Sequence, residues 1–183
     1  MDKQSARILG MQRRAGINAD LKAAYDRSLF QKMKDASNAA KLIGCYVSMK
    51  QEADTRVFLS WCFEQHIPVA IPKTEEGTLS FFQITSFADL APGNFAVEEP
   101  VKGKAVSAGD IDLMFVPLSS FDHEHHRTGY GKGYYDSVLM PKMRKLGIAY
   151  PEQEVPFIEV DPWDVTLDEI ILPDVHTNRN SDV

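Results

Sequence analysis

The sequence predicts an α/β fold, in which a single domain over residues 1–183 has a mostly parallel sheet with helices on both faces. Three observations point to this class. The chain has 183 residues, the size of one ordinary domain. Short β-rich apolar segments alternate with helical patterns, as in the βαβ units that build parallel sheets. Hydrophobic residues make up 44% and charged residues 25%, which excludes a disordered chain, a collagen and a coiled coil.

Charge and cysteine content narrow the function classes. The formal net charge is −6, so we expect no general binding of nucleic acid or anionic membranes, and any bound anion needs a local cluster of Lys and Arg.

Cys45 and Cys62 lie in apolar surroundings, as core thiols of a reduced compartment do. No apolar run is long enough to span a bilayer, and no signal-like stretch follows Met1. We expect a soluble cytoplasmic protein.

Two helices are predicted first. Residues 2–14 contain no proline, and Gly16 ends this helix. Asn18 caps the second helix, because its side chain can accept from the first free backbone N–H groups. Apolar residues at steps of three and four give this helix an inner stripe. They are Leu21, Ala24, Tyr25, Leu29 and Met33.

A strand, a helix and a second strand follow at the spacing of a βαβ unit. Residues 41–49 are short and β-rich, and residues 67–72 form an apolar segment bounded by prolines. Between them a helix begins at Asp54 or Thr55 and ends near His66. Its predicted inner face consists of Val57, Phe58, Trp61 and Cys62.

Apolar runs and clusters of proline and glycine divide the second half. The predicted strands are residues 78–85, 111–118, 146–150 and 169–172. Residues 88–109 and 119–132 are predicted as loops. A helix is expected to begin near Tyr134 and to be interrupted at Pro141. The tail, residues 174–183, is polar and is expected to fray.

One glycine-rich stretch stands out, RTGYGKGYYD at residues 127–136. Its three alternating glycines let the backbone approach a ligand closely, and the expected helix start offers unpaired N–H groups. Arg127 and Lys132 add two cations, which together with the glycines are typical of a polyphosphate cradle. Asp136 follows and is suited to Mg²⁺, although an acid in a first helical turn is the plainer interpretation. The spacing fits neither Walker A nor GxGxxG, so a turn with solvated charges is the alternative.

The same stretch is similar to the signature of the 5-formyltetrahydrofolate cyclo-ligase family, also called methenyltetrahydrofolate synthetases. That signature runs Arg-Leu-Gly-x-Gly-Lys/Gly-Gly-Tyr-Tyr-Asp. The sequence departs from it at Thr128, where the family prefers Leu, and at His126, where Gly is usual. The resemblance covers nearly the whole chain. Its other blocks are Lys3 with Arg7, residues 46–55, 68–73 and 97–100, Val116-Pro117 followed by Phe121-Asp122, and Gln153 with Asp164.

This resemblance implies the NagB/RpiA/CoA transferase-like fold and an enzyme of folate and one-carbon metabolism. Such an enzyme uses ATP and Mg²⁺ to convert 5-formyltetrahydrofolate to 5,10-methenyltetrahydrofolate, with ADP and phosphate as products. ATP phosphorylates the formyl oxygen and N10 then displaces the phosphate, so the protein positions the reactants and neutralises charge. We expect the folate as a small-molecule partner and a monomeric chain, with a dimer left open.

The resemblance also implies the site residues. Lys132 and Arg127 would be the catalytic cations, and Asp136 and Asp164 would hold Mg²⁺. The residues implied for ATP are Lys3, Gln4, Ser5, Ala6, Arg7, Arg127, Thr128, Gly129, Tyr130, Gly131, Lys132, Gly133, Tyr134 and Tyr135.

Val47, Glu52 and Tyr134 are implied for the folate. Glu52 is chemically suited, because a carboxylate accepts from the N–H groups of a pterin. Some of the implied residues have a plainer interpretation. Glu52 is then a helix-capping acid, Tyr134 packs in the core, and the ATP residues Lys3 and Arg7 belong to a solvated helix face.

Three histidines and a tryptophan are weaker candidates. His123, His125 and His126 lack the spacing and the nearby cysteines of zinc sites, so we expect them to line the ATP entrance or to face solvent. Trp163 beside Asp164 is expected to pack, with a pocket wall as the alternative.

Two other function classes stay open at this point. One is another phosphate-binding enzyme of similar α/β fold, such as a sugar-phosphate isomerase or an acyl-CoA transferase. That class needs a catalytic carboxylate or base at the loop and does not need Lys3 and Arg7. The other is a non-catalytic folate- or nucleotide-binding protein, in which substitution of the phosphate cations is expected. Here all of those cations are present.

Overall fold

A computed structural model describes residues 1–93 and 97–174 of the chain. Within these ranges the helices are α1 Lys3–Ala15, α2 Ala19–Ala36 and α3 Arg56–Glu64. The strands are β1 Ile43–Cys45, β2 Val69–Glu75, β3 Thr78–Ile84, β4 Leu90–Pro92, β5 Glu98–Pro100, β6 Lys104–Val106, β7 Leu113–Val116, β8 Ser120–Phe121, β9 Arg127–Thr128, β10 Arg144–Ile148 and β11 Glu169–Ile171. Residues 175–183, most of the predicted polar tail, lie outside the described residues.

Seven strands form one sheet in the order β11-β10-β7-β1-β2-β3-β6. Neighbours from β11 to β2 pair in parallel, and β3 pairs antiparallel with both β2 and β6. The predicted α/β class with a mostly parallel sheet is therefore confirmed. The chain passes from β1 through α3 to β2 on one side, and later enters β7 on the other side of β1. The carboxyl ends of β1 and β7 thus flank a topological switch point, where open α/β sheets bind ligands.

One face of the sheet is covered by α2 and α3. Their buried side chains are Tyr25, Leu29, Met33, Phe58, Leu59 and Cys62. Cys45 and Cys62 are free thiols buried in this core, as predicted. Leu21, Ala24 and Val57 are exposed, so the predicted stripes were wrong at these positions. Only the side of each helix that contacts the sheet is buried, and this side is narrower than the spacing of apolar residues predicts.

The helix predicted near Tyr134 is wrong, because residues 134–138 form hydrogen-bonded turns. Gly131 and Gly133 take φ angles of 88° and 67°, which an α-helix excludes. The Ser137 hydroxyl donates to the Tyr134 carbonyl at 2.8 Å. In an α-helix that carbonyl would accept from a backbone N–H four residues later, so the hydroxyl competes with the helical hydrogen bond. We expected this helix to cover the second face of the sheet. Non-helical segments pack there instead, and their buried side chains include Val138, Leu139 and Met143.

Other boundaries differ because the chain leaves the sheet to form the site. β1 and β7 are shorter than the predicted strands at 41–49 and 111–118, and residues 46–48 stay buried after β1 ends. The predicted loop at 88–109 contains the short strands β4, β5 and β6. In the described ranges, no helix combines the length and hydropathy needed to cross a membrane.

The helix α1 begins and ends as predicted. Asp2 accepts from the Ser5 N–H at 2.8 Å at its start, and Gly16 lies at its C-cap. It lies close to β8, because a methyl group at Gly10 would overlap the Ser119 carbonyl and approach Ser120 Cβ to 2.7 Å. This close approach brings the N-terminal turns of α1 to the carboxyl edge of the sheet.

Candidate active site

A cavity of about 880 Å³ opens at the carboxyl ends of β1, β2 and β7. Further parts of its wall come from α1, the glycine-rich stretch, the 97–99 segment, the turn that contains Asp164, Leu79 of β3 and the 49–52 segment. The predicted residues that line it are Lys3, Arg7, Val47, Glu52, Arg127, Thr128, Gly129, Tyr130, Gly131, Lys132, Gly133, Tyr134, Tyr135, Asp136 and Asp164. The fold thus brings together side chains that lie up to 161 positions apart in the chain.

Three of the residues implied for ATP do not line this cavity. Ala6 is fully buried, in a cluster with Val155 and Ile158. Gln4 accepts a hydrogen bond from Arg7 Nη1 at 2.6 Å, and Ser5 bonds to the cap residue Asp2. Gln4, Ser5 and Ala6 therefore support α1 and its arginine rather than forming the cavity wall.

Arg127 is the most deeply buried cation of the cavity. Its side chain is 6% exposed, and Nη2 lies 3.5 Å from Asp136 Oδ1. Its Nε is buried without a hydrogen-bond partner among the described residues. Burial lowers the pKa of the Arg127 guanidinium, an effect that the negative charge of Asp136 opposes. A buried guanidinium with an unused donor is poorly compensated by protein alone, so this position favours an anionic ligand.

The two cations of α1 hold other segments of the wall. Lys3 Nζ donates to Asp161 Oδ2 at 2.6 Å and forms an ion pair with Asp164. Burial alone lowers the pKa of Lys3, but these two carboxylates raise it above its ordinary value. Arg7 Nε donates to the Gly129 carbonyl at 2.7 Å, which ties the glycine-rich stretch to α1.

Asp136 and Asp164 are suited to a metal ion bound together with phosphate. Asp136 Oδ1 accepts from the Val165 N–H at 3.1 Å, and Asp164 Oδ2 accepts from the Asp161 N–H at 2.8 Å. No group of three or more His, Cys, Asp or Glu side chains able to hold a metal occurs in residues 1–93 and 97–174. Mg²⁺ is commonly bound by one or two carboxylates plus substrate phosphates and water, so two carboxylates fit that mode.

The other end of the cavity centres on Glu52, whose residue exposure is 5%. Its Oε1 accepts from the Met49 N–H at 2.8 Å, and its Oε2 accepts from the Tyr130 hydroxyl at 2.9 Å. Burial raises the pKa of Glu52 above its ordinary value. The structure thus places a desolvated carboxyl in the wall of the same cavity as Val47, where an N–H donor of a ligand can reach it.

The departure from the family signature at Thr128 has a local explanation. Thr128 is buried, and its Oγ1 lies 2.7 Å from Ser119 Oγ and in hydrogen-bond contact with Ser120 Oγ. The two serines supply polar partners for a hydroxyl where the family prefers an apolar side chain. This compensation was not visible in the sequence, because it depends on the pairing of β8 with β9.

The histidines do not line the cavity. His123 is exposed, while His126 Nδ1 lies 3.0 Å from Oδ2 of the fully buried Asp122. Asp122 also accepts from the Ile158 N–H at 2.9 Å. Burial by itself raises the pKa of Asp122, but its hydrogen bonds from Ile158 and His126 hold it below its ordinary value. This pair anchors the loop that precedes the glycine-rich stretch.

Sequence reasoning misjudged Trp163 and did not single out Asp161, the partner of Lys3. Trp163 lines the cavity and is 71% exposed, so the expected core packing was wrong and the alternative of a pocket wall is correct. Asp161 was not singled out, because its partner Lys3 is 158 positions away and no sequence pattern links them.

Comparison with known proteins agrees with this geometry. The model of the 5-formyltetrahydrofolate cyclo-ligase family matches residues 1–173. The 5-formyltetrahydrofolate cyclo-ligase of Mycoplasma pneumoniae is 33% identical over 181 residues, covering 93% of this chain and 98% of its own. That of Mus musculus is 28% identical over 190 residues, covering 94% of each chain. The solved structure of Aquifex aeolicus 5,10-methenyltetrahydrofolate synthetase aligns with a TM-score of 0.83 at 28% identity, covering 93% of this chain and 89% of that chain.

The match extends over both the sheet and the cavity-forming segments. The expected family and enzyme class are therefore confirmed, while the roles of individual site residues stay predictions. This chain belongs to the 5-formyltetrahydrofolate cyclo-ligase family.

Proposed function

We propose that this cavity converts 5-formyltetrahydrofolate and ATP to 5,10-methenyltetrahydrofolate, ADP and phosphate, with the formyl oxygen leaving in the phosphate. One observation carries the proposal: Arg127, the first residue of the glycine-rich stretch, is buried in the cavity with an unused Nε donor, and further cations line the same cavity. In a chain of net charge −6, this group of four Lys and Arg side chains at one end of a cavity is suited to a polyphosphate, with the neighbouring aspartates suited to its metal ion.

At the phosphate end, Arg127 and Lys132 are the cations that contact the transferred phosphoryl group. Lys3 and Arg7 lie on the same face of α1 at a spacing of four residues. Arg7 holds the carbonyl of Gly129, so the backbone around the phosphates is fixed before ATP arrives. Such pre-organisation is effective for phosphoryl transfer, where the protein mainly positions groups and neutralises charge.

Asp136 and Asp164 are the proposed ligands of Mg²⁺. Their donors are carboxylate oxygens, both residues line the cavity, and both act electrostatically on Arg127. The ion, when bound, supplies positive charge to the phosphate oxygens that ATP brings.

At the folate end, Glu52, Val47 and Tyr134 form the proposed substrate contacts. Glu52 accepts from the N–H groups of the pterin, and the apolar side chain of Val47 borders the ring. The Glu52 carboxylate is already held by the Met49 N–H and the Tyr130 hydroxyl, so its orientation does not have to be created by the substrate.

The reaction then follows in two steps. The formyl oxygen attacks the γ-phosphorus, the bond to the bridging oxygen breaks, and ADP leaves with that electron pair. The lone pair of N10 next attacks the formyl carbon, the carbon–oxygen bond breaks as phosphate leaves, and N10 loses its proton to solvent. The residues named above hold the two substrates so that these atoms meet.

The finer properties of the chain belong to the same proposal. We propose that it acts as one domain, as a monomer in the cytoplasm, and without nucleic-acid partners. The net charge of −6 supports the last point, because binding to nucleic acid relies on phosphate neutralisation by Lys and Arg. Light scattering on a sizing column measures the oligomeric state directly.

A turnover assay tests the proposed reaction. Purified protein is mixed with 5-formyltetrahydrofolate and MgATP, and the near-ultraviolet absorbance of the methenyl product is followed. We expect product only when ATP and Mg²⁺ are both present, with ADP and phosphate formed in equal amounts. Matched mixtures without ATP, or with a chelator, serve as controls. Binding of ATP without product would overturn the assigned reaction, and absence of ATP binding would overturn the phosphate site as well.

A further inference from the structure

Trp163 is a large apolar side chain that the fold leaves open to solvent at the cavity. It is 71% exposed and contributes to the cavity wall. Exposure alone says little, because single apolar residues on protein surfaces are common. Its position in the wall of a ligand cavity, on the segment that carries the proposed metal ligand Asp164, is what distinguishes it.

Trp163 lies in a turn that two hydrogen bonds hold in place. The Asp164 N–H donates to the Asp161 carbonyl at 3.0 Å, which closes a four-residue turn with Pro162 and Trp163 at its centre. The Asp161 N–H donates to Asp164 Oδ2 at 2.8 Å across the same turn. The backbone that carries the tryptophan is therefore held in place before any ligand binds.

Two neighbouring elements fix this turn at the phosphate end. Lys3 Nζ contacts the carboxylates of both Asp161 and Asp164, which joins the turn to α1. The next residue, Val165, donates its N–H to Asp136 Oδ1 at 3.1 Å. Glu52, which marks the folate end, bonds instead to Met49 and Tyr130 on other segments. Trp163 thus belongs to the group of residues around the phosphate cations.

A flat ring beside a phosphate site is suited to one part of a nucleotide. The phosphates of ATP are charged and its base is a neutral, planar aromatic group. Stacking on an exposed aromatic side chain stabilises a base without hydrogen-bond readout, and larger rings give more contact.

We propose that Trp163 stacks on the purine base of bound ATP and favours purine over pyrimidine nucleoside triphosphates. This inference deepens the proposed function, on which it rests. The turn already holds the backbone that carries Trp163, so stacking on the base orders little of the main chain.

Calorimetry separates the base from the phosphates. We expect Trp163→Ala to weaken ATP binding about 5- to 150-fold, the range for loss of one base–aromatic stack. Inorganic triphosphate should bind the variant and the unchanged protein equally. Trp163→Phe should recover a large part of the ATP affinity. The unchanged protein should bind CTP more weakly than ATP, and Trp163→Ala should reduce that difference.

Phe157→Ala is the matched control. Phe157 is an exposed aromatic residue of the same C-terminal region, and it contacts the His126 ring rather than the cavity. Its removal should leave ATP affinity within about twofold, a difference of roughly 0.4 kcal/mol.

Fluorescence gives an independent readout, because the chain has only two tryptophans, Trp61 and Trp163. With Trp61→Phe, the remaining indole should change its emission when ATP is added and stay unchanged with triphosphate. With Trp163→Phe, ATP should leave the emission of Trp61 unchanged, because Trp61 packs against the core under α3.

Three results would overturn the inference. They are equal ATP affinity in Trp163→Ala and the unchanged protein, an equal loss for ATP and triphosphate, and a loss of affinity for 5-formyltetrahydrofolate in place of ATP. Each of these leaves turnover by the unchanged protein intact. Failure of the proposed function has a different signature, since the unchanged protein would then neither bind ATP nor form product.

Discussion

Arg127 combines burial with incomplete pairing. Its Nη2 is 3.5 Å from the nearest Asp136 oxygen, and its Nε has no partner in the described residues. Desolvation of a cation is costly unless strong hydrogen bonds replace water. The resulting preference for an anion is a property of this one side chain, and it requires the fork geometry of a guanidinium.

Arg127→Lys should therefore reduce kcat/KM for ATP by tenfold or more, because lysine keeps the charge but loses the bidentate contact. Steady-state kinetics with varied ATP measures the effect, and circular dichroism should show an unchanged fold. Arg144→Lys is the matched control, since Arg144 is a half-exposed residue at the start of β10, outside the cavity. A kcat/KM for ATP within twofold of the unchanged protein would remove Arg127 from phosphate recognition.

Ionisation of the buried Glu52 lowers the free energy of unfolding, so this effect depends on pH. Burial raises its pKa in the folded protein above 4.5, the ordinary value of a glutamate. When folding raises the pKa of a carboxyl, the folded state binds the proton more tightly than the unfolded state does. The contribution of this group to stability is fully present below its unfolded pKa and is lost as pH rises through its folded pKa. At neutral pH the ionised Glu52 therefore destabilises the fold.

Glu52→Gln should raise the free energy of unfolding at pH 7 and leave it nearly unchanged at pH 4. The same variant should raise KM for the folate, because an amide cannot replace the carboxylate as an acceptor on both oxygens. Denaturant titrations at the two pH values measure the first effect, and kinetics measure the second. Glu64→Gln, an exposed change on α3, should do neither. Lower stability of Glu52→Gln at pH 7 would contradict the argument.

At the scale of elements, α1 positions two of the four cations at the phosphate end, Lys3 and Arg7, through its packing against β8. Gly10 permits this packing, because any side chain there would overlap the Ser119 carbonyl. Backbone atoms cannot move aside as a flexible side chain can. The distance between α1 and β8 therefore determines where Lys3 and Arg7 lie in the cavity.

Gly10→Ala should destabilise the protein by about 1–3 kcal/mol through overpacking, even though alanine favours helix by roughly 1 kcal/mol. ATP affinity should fall as well, since Lys3 and Arg7 shift with the helix. Gly16→Ala is the matched control, because a methyl group there meets only ordinary contacts, the nearest at 3.5 Å. Thermal unfolding and calorimetry test both variants. A Gly10→Ala protein as stable as the unchanged one would show that α1 adjusts without cost.

The limits of helices were predicted correctly where residues close in the chain mark both the first turn and the end, or the start alone, as in α1 and α2. α1 has its cap residue Asp2 and its terminal Gly16, and α2 begins after Asn18, whose side chain accepts from the Leu21 N–H at 2.8 Å. The expected helix near Tyr134 failed because distant groups competed for its residues. Asp136, for example, accepts from Val165 N–H, a contact that no local pattern contains.

At the scale of the whole molecule, one continuous sheet connects most of the chain. β1 lies at its centre, and β11, at residues 169–171, closes one edge. The cavity draws its wall from both sides of the switch point and from the C-terminal turn. Loss of either half of the sheet would therefore remove part of the site.

We expect one cooperative unfolding transition, with tryptophan fluorescence and far-ultraviolet circular dichroism giving the same midpoint. MgATP at about 100 times its dissociation constant should stabilise the fold by about 2.7 kcal/mol and raise Tm by roughly 5–10 °C. The same concentration of Mg²⁺ with sulfate is the control. Two separate transitions would contradict the single-domain prediction.

The sequence by itself determined the class of fold, the helix limits at α1 and the family to which the glycine-rich stretch points. These depend on residues close together in the chain, where periodicity, caps and motif spacing act directly. Only the tertiary structure decided the pairing of Lys3 with Asp161, the burial of Arg127 and the exposure of Trp163. Each of these depends on which distant segments meet at the switch point, and that follows from packing of the whole sheet rather than from any local pattern.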